Sequence, residues 1–230
     1  MIANWANEMI GSHVKDASFA DIGGLWGVVN EKITVAVNSG CRSATMIDIM
    51  PIDHPIWSEF DVRARAAGIT EYRKLQGNID DPALSDRAGT FDFIHCSGVI
   101  YHVPNPLHTL ARLHSLTRRF LLLVSMTVPE RIRGDAGEIS FAGGRTVFLP
   151  AVDAPTKEVL AGYFQTLGIK LAGITDDEYP WKSLSAYGPW WWLWTKDTLA
   201  AMARSAGFRV IEARETWEGR AHGVLCEKIG

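Results

Sequence analysis

Two groups of residues in this chain have the types and spacing that chemistry requires. The first is Asp21-Ile22-Gly23-Gly24-Leu25-Trp26-Gly27, where an apolar run meets an acid and then three glycines within five residues. Glycine tolerates the positive φ of a tight turn and lets backbone come close to a ligand, so this layout suits a nucleotide-like molecule as well as an ordinary strand-to-helix connection. A second apolar run, Ala44 to Met50, carries Asp48 21 residues past Gly27. An acid there either accepts two hydrogen bonds from a ribose diol or caps the following loop. The second group is Tyr101-His102, which directly follows the run Thr90 to Ser97. Histidine exchanges a proton near neutral pH, so His102 suits the removal of a proton from an acceptor hydroxyl; the same pair also suits a purely structural part in holding the next loop.

Other clusters carry less. A nicotinamide-type G-x-G-x-x-G counted from Gly23 meets Leu25 and Val28 where its later glycines belong, which disfavours a dehydrogenase. Trp190-Trp191-Trp192-Leu193-Trp194, with Tyr179, Trp181 and Tyr187, suits an aromatic lid over a flat or sugar-like substrate; it suits a homodimer interface equally. Asp176-Asp177-Glu178 does not converge on one ion without a turn, so no metal site is expected. Trp26 has two places open to it, against the chain of a ligand or under a sheet, of which the second is expected; His95, His108 and His114 are expected to be packing or solvated residues.

Composition sets the frame. With 230 residues, 47% hydrophobic and 21% charged, the chain is long enough for a substantial core and is expected to be one domain, 1–230. The net charge of -3 offers no field for polyanions, so nucleic acid is disfavoured as a partner. Cys41, Cys96 and Cys226 are odd in number and far apart, which suits neither a disulfide framework nor a zinc site. The N-terminus lacks a basic segment followed by an apolar one, and no run of 18 apolar residues occurs, so a cytoplasmic protein without a membrane span is expected.

The elements that must hold these groups alternate. A short helix over 2–11 precedes a strand ending near Asp21; a helix follows over 28–38, then a strand to Asp48, a helix over 56–67 and a strand over 69–76. The run 90–97 is a fourth strand, 104–116 a helix opened by Pro104-Asn105-Pro106, and 119–128 a fifth strand whose Phe-Leu-Leu-Leu-Val suits the middle of a parallel sheet. Alternation stops over 129–194, where a helix is expected only at 156–167. It resumes with a helix over 196–206 and strands over 208–215 and 223–229. The pattern predicts a doubly wound α/β fold with a seven-stranded, mostly parallel sheet and an insertion at 129–194 that caps the substrate.

The glycine turn, Asp48, the turn Gly77 to Asp80, the block Phe91 to Leu107 and the late Ala206-Gly207-Phe208 together resemble class I S-adenosylmethionine-dependent methyltransferases, whose first motif is D-x-G-x-G-x-G. The block F-D-x-I…G-V-I-Y-H-V-x-x-P is similar to that of small-molecule members and of tRNA uridine carboxymethyltransferase. The resemblance covers most of 17–128 and 195–229. It implies a Rossmann-like methyltransferase fold and S-adenosylmethionine as cofactor, with S-adenosylhomocysteine as product. It also implies that Asp21, Gly23, Gly24 and Gly27 line the methionine part, Asp48 and Ile49 the ribose, Asn78 and Ile79 the adenine, and Ser97 the sulfonium. Tyr101 and His102 would then be the catalytic pair; Tyr179, Trp181, Tyr187, Trp190 and Trp191, outside the resemblance, are the substrate contacts expected from the aromatic lid reading. The expected reaction is metal-independent transfer of a methyl group to a small acceptor, a hydroxyl of a natural product or sugar.

Leu25 replaces the middle glycine of that motif. Its side chain either tucks away and leaves an enzyme, or blocks the cofactor and leaves a non-catalytic, partner-binding subunit. A tRNA-modifying transferase is the further alternative.

Overall fold

The computed structural model describes residues 4–26, 31–171, 173–175 and 189–230. Five strands run parallel: β1 (Ser18–Ile22), β2 (Ser43–Asp48), β3 (Arg73–Gln76), β4 (Phe91–Ser97) and β5 (Thr117–Met126). Outside the main sheet, β6 (Arg131–Gly134) and β7 (Gly137–Ser140) form a hairpin, and β8 (Val147–Phe148) pairs with β9 (Trp192–Leu193). β10 (Phe208–Thr216) and β11 (Ala221–Lys228) complete the sheet in antiparallel fashion, giving the order β10-β11-β5-β4-β1-β2-β3. The expected seven-stranded, mostly parallel sheet is therefore present. The order reverses between β1 and β4, and open α/β sheets place their ligand crevice beyond the strand ends at such a reversal.

Period-two alternation divides the apolar strand residues between two cores. Phe19, Met46, Phe93, Leu122 and Leu225 face one side, with residues of α1 (Trp5–His13), α2 (Ile33–Asn38) and α3 (Pro55–Ala66). Ala20, Ile47, Ile94, Leu121, Leu123 and Val224 face the other, with residues of α4 (Leu84–Ala88), α5 (Pro106–Leu116), α6 (Ala154–Thr166) and α7 (Lys196–Ser205). Each large apolar side chain buried in this way contributes about 1.5–3 kcal/mol. Among the described residues no helix is long and apolar enough to cross a membrane.

Three departures from the sequence pattern have physical causes. β3 begins at Arg73 because Ile69 is drawn into the end of α3, its N–H donating to the Ala64 carbonyl at 2.8 Å after Gly68 turns at φ +80°. α2 begins at Ile33, later than Val28, and residues 27–30 lie outside those described. Within 129–194 the hairpin β6–β7 and the pair β8–β9 appear where only irregular chain and one helix were expected. Trp190, Trp191 and Trp194 of the aromatic run are buried in the chain's own core, and the Trp192 indole N–H donates to the Pro104 carbonyl at 3.0 Å.

At the opposite end of the sheet from the crevice, Asp92 ties β4 to β1 and β5. Its carboxylate accepts from the Ser18 N–H at 2.9 Å, from Arg118 Nε at 2.9 Å and from Arg42 at 3.2 Å. The Arg118 hydrogen bond holds the carboxyl well below its usual range, against a smaller opposing effect of burial. A carboxyl lowered in the folded state stabilises above its ordinary value near 3.8 and loses that contribution as pH falls toward its folded value. We therefore expect Asp92→Asn to cost about 1 kcal/mol at pH 7 by urea denaturation, a partly solvated figure. The difference from wild type should shrink when the titration is repeated below pH 4; a constant difference would mean that the charge does not matter.

Candidate active site

Beyond the carboxyl ends of β1, β3 and β4 stand Gly23, Gly77 and Gly98. Each glycine N–H prolongs the parallel ladder by one bond: Gly23 to the Ile47 carbonyl at 2.8 Å, Gly77 to Asp48 at 2.8 Å and Gly98 to Val124 at 3.0 Å. All three line one cavity of about 520 Å³. Gly23 has φ +75°, and a Cβ on it would stand 2.4 Å from Val99 Cγ2 on the cavity's other wall. Glycine is thus required there twice, by backbone conformation and by space.

Asp48 faces this cavity from the end of β2 and is 1% exposed. Its Oδ1 accepts from the Met50 N–H at 3.0 Å, whereas Oδ2 is buried and has no hydrogen-bond partner among the described residues. Burial pushes the carboxyl up, opposed by the Met50 and Leu25 amides. A buried acceptor without a partner costs roughly 1–3 kcal/mol, so its persistence on a cavity wall marks a place for a donor from a ligand. Asn78 and Ile79 continue the lining, with the Asn78 Oδ1 accepting from the Asp80 N–H at 2.9 Å in a local turn. Ile49 lines the wall beside Asp48 and is 45% exposed.

Leu25 does not reach the cavity. It sits in a single 3-10 turn, Gly24–Trp26, and its side chain is fully buried in the core formed by Ile33, Met46, Trp57 and Phe60. The cavity therefore survives the replaced glycine, which removes the observation behind a non-catalytic reading. Trp26 corrects the expectation of packing beneath the sheet: it is 64% exposed and lines the cavity.

Asp21 is placed otherwise than the motif resemblance implies. Its carboxylate is fully buried and points behind the turn, accepting from His95 Nδ1 at 2.8 Å and from the Lys32 N–H at 2.7 Å. Gly24 lies over that carboxylate, since a Cβ there would be 2.5 Å from Asp21 Oδ2, and it supports the turn without lining the cavity. Ser97, at the end of β4, is outside the lining as well. Gly27 lies outside the described residues.

The chain passes from β4 to α5 through one 3-10 turn, Ile100–His102, and α5 is started by Pro106 and by Asn105, whose side chain accepts from the His108 N–H at 3.1 Å. This short connection sets His102 on the cavity wall, and its Nδ1–H donates to the Pro189 carbonyl at 3.1 Å. In the neutral ring that bond puts the lone pair on Nε2, the form a base requires. Tyr101, by contrast, is buried and outside the lining; burial pushes its phenol up, and its ring packs 4.5 Å from that of Trp190. Trp190 also meets the His102 ring at 5.7 Å, while Trp191 is buried and its N–H donates to the Tyr101 carbonyl at 2.8 Å. Both tryptophans brace the Tyr101-His102 turn and lie outside the cavity lining. Tyr179, Trp181, Tyr187 and Asp176-Asp177-Glu178 lie outside the described residues.

Sequence reasoning missed Gly98, Val99 and Val103 as wall residues, although they belong to the same block as His102. It also dismissed His95, whose signal was its register: β1 and β4 are adjacent, and Asp21 pairs with His95 across them.

A methyltransferase-domain family matches residues 3–213 of the chain. No curated protein matches the sequence. Among solved structures, a putative methyltransferase from Bacillus halodurans aligns with a TM-score of 0.59 at 14% identity, over 98% of each chain. The 1,6-didemethyltoxoflavin-N1-methyltransferase of Burkholderia thailandensis, solved with 1,6-didemethyltoxoflavin and S-adenosylhomocysteine, aligns at TM-score 0.57 and 14% identity over 98% of this chain and 77% of that one. An O-methyltransferase family protein from the same organism aligns at TM-score 0.58 and 13% identity over 98% of this chain, which spans 55% of that protein's length. These likenesses establish the fold, and the family match covers the glycine turn, the Asp48 strand and the Tyr101-His102 block alike. The chain belongs to the methyltransferase-domain family, of the class I, S-adenosylmethionine-dependent kind.

Proposed function

We propose that the chain transfers a methyl group from S-adenosylmethionine to a hydroxyl of a small organic acceptor, with His102 as general base. The observation that carries the cofactor assignment is the buried Oδ2 of Asp48, which has no partner among the described residues and stands on a cavity wall that also holds Gly23. In this reading Asp48 accepts from the ribose hydroxyls, Asn78 and Ile79 flank the adenine, and Gly23 gives the methionine part its close backbone approach. When bound, S-adenosylmethionine supplies an electrophilic methyl carbon.

The chain's own residues then have three tasks. They hold the acceptor close to the methyl carbon and on axis, which is the larger part of catalysis for an in-line displacement. His102, its tautomer set by the Pro189 carbonyl, takes the hydroxyl proton on Nε2 as the acceptor oxygen becomes nucleophilic. Trp26, Val99 and Val103 keep water from the apolar part of the cavity. Support for a small acceptor comes from the 1,6-didemethyltoxoflavin bound by the Burkholderia N1-methyltransferase; support for oxygen comes from the O-methyltransferase neighbour.

Removing a charged acceptor of two hydrogen bonds should weaken cofactor binding strongly. Asp48→Ala is expected to raise the Kd for S-adenosylhomocysteine by about 10- to 100-fold in calorimetric titration, and an unchanged Kd would refute the ribose assignment. A separate expectation concerns the base. His102→Ala should lower kcat by about 100-fold or more on a hydroxyl acceptor found by screening, with cofactor affinity little changed. Turnover within a few-fold of wild type would make His102 a structural residue.

A further inference from the structure

We infer that His95 is a positioning residue for the cofactor turn, acting through Asp21. This deepens the reading of the cavity as a cofactor site and rests on it. Asp21 and His95 lie opposite each other on the adjacent parallel strands β1 and β4, on the same face as Phe19 and Phe93, and they are 0% and 1% exposed. The two oxygens of the carboxylate are divided between two segments. Oδ1 takes the His95 Nδ1–H at 2.8 Å, and Oδ2 takes the N–H of Lys32, the residue that precedes α2, at 2.7 Å. Gly24 rests on the same carboxylate, so close that a Cβ there would meet Oδ2 at 2.5 Å. One buried group therefore fixes both the near side of the turn and the chain that leaves it, while Gly23, one residue earlier, forms the cavity wall.

His95 is what aims that group. A carboxylate has no fixed torsion of its own beyond its rotamer wells, and without a donor on Oδ1 the buried oxygen would be driven to rotate toward another donor. That rotation alters the acceptor presented to the Lys32 amide and the surface on which Gly24 rests. An apolar residue at position 95 would suit a central strand buried on both faces, so the imidazole there is accounted for by its bond to Asp21 and not by packing. The nearby cation is the Lys32 side chain, itself buried and with its ammonium disfavoured by desolvation, so it does not replace the imidazole as a directional donor. His95 itself is absent from the cavity lining, which is why its effect on ligand must pass through Asp21.

The test is calorimetric titration of S-adenosylhomocysteine into wild type, His95→Leu and His95→Asn, alongside hydrogen exchange of the Lys32 amide in the protein without ligand. Asn places its Nδ2 where the imidazole Nδ1 stands and keeps a donor for Asp21 Oδ1; Leu keeps bulk and removes the donor. His95→Leu is expected to bind about tenfold more weakly, equivalent to about 1.4 kcal/mol, and to exchange the Lys32 amide faster. His95→Asn should recover most of both. Wild-type affinity and exchange in His95→Leu, or an Asn variant as impaired as Leu, would overturn the inference. If His95→Leu does not fold, Asp21→Asn takes its place: faster Lys32 exchange and weaker binding support the pin, and wild-type values overturn it. Wild type that fails to bind S-adenosylhomocysteine refutes the cofactor reading, while the exchange experiment still decides whether His95 holds the turn.

Discussion

A carboxylate buried between two parallel strands must find donors within the fold, and Asp21 finds them on β4 and in the residue that precedes α2. β2 lies on one side of β1 and β4 on the other, and the chain leaving β1 turns at the point where strand order reverses. Something must set how that chain turns. The His95 bond from β4 and the Lys32 amide from the far end of the turn settle it, and the remaining features of the site inherit that placement. Gly23 takes its positive φ against Val99, and Leu25 drops into the core on the α2–α3 side. The Leu25 amide then works with Met50 to oppose the rise that burial imposes on Asp48.

Cavity and core are thus made from the same turns. Gly23, Gly77 and Gly98 each add a ladder bond and then stop, leaving backbone in place of side chains around a space of about 520 Å³. The aromatic run supports this from the side. Trp190 and Trp191 pack behind Tyr101, and the Pro189 carbonyl holds the His102 ring, so the tryptophans determine where the imidazole stands without entering the cavity themselves. Burial of this kind suits large aromatic side chains, whose contact area is greatest when enclosed on all faces.

Strand and helix order was legible because alternation and turn residues are local signals: β1, β2, β4, β5, β10 and β11 lie within a few residues of where the apolar runs place them. The start of β3 was not, because whether Ile69 closes α3 or opens a strand depends on the Ala64 carbonyl, a contact no strand propensity records. Of the site, Gly23, Asp48, Ile49, Asn78, Ile79 and His102 were legible as wall residues. Asp21 and Ser97 were legible as belonging to a motif but not in their direction, since a motif names positions and the alternation of a strand decides which way each one faces. His95 was lost for the converse reason. Its partner is 74 residues away, and only the register of two parallel strands brings the pair together.

The replaced glycine shows how far a motif's chemistry can be separated from its letters. The middle position needs glycine only if its Cα–Cβ vector points at the ligand or its φ is positive. Gly23 has the positive φ and a Cβ direction that runs into Val99 on the cavity wall, Gly24 meets a packing condition against Asp21, and Leu25 has an ordinary φ and a direction into the core. A large side chain is then an advantage there: fully buried in the core that also holds Ile33, Met46, Trp57 and Phe60, it anchors the turn with burial worth about 1.5–3 kcal/mol, which a glycine could not supply. The turn is held from two directions, by the Leu25 side chain in the apolar core and by the Asp21 carboxylate among its donors. That double hold keeps the Gly23 backbone in place against a cavity whose other wall, Val99, is close enough to tolerate no addition.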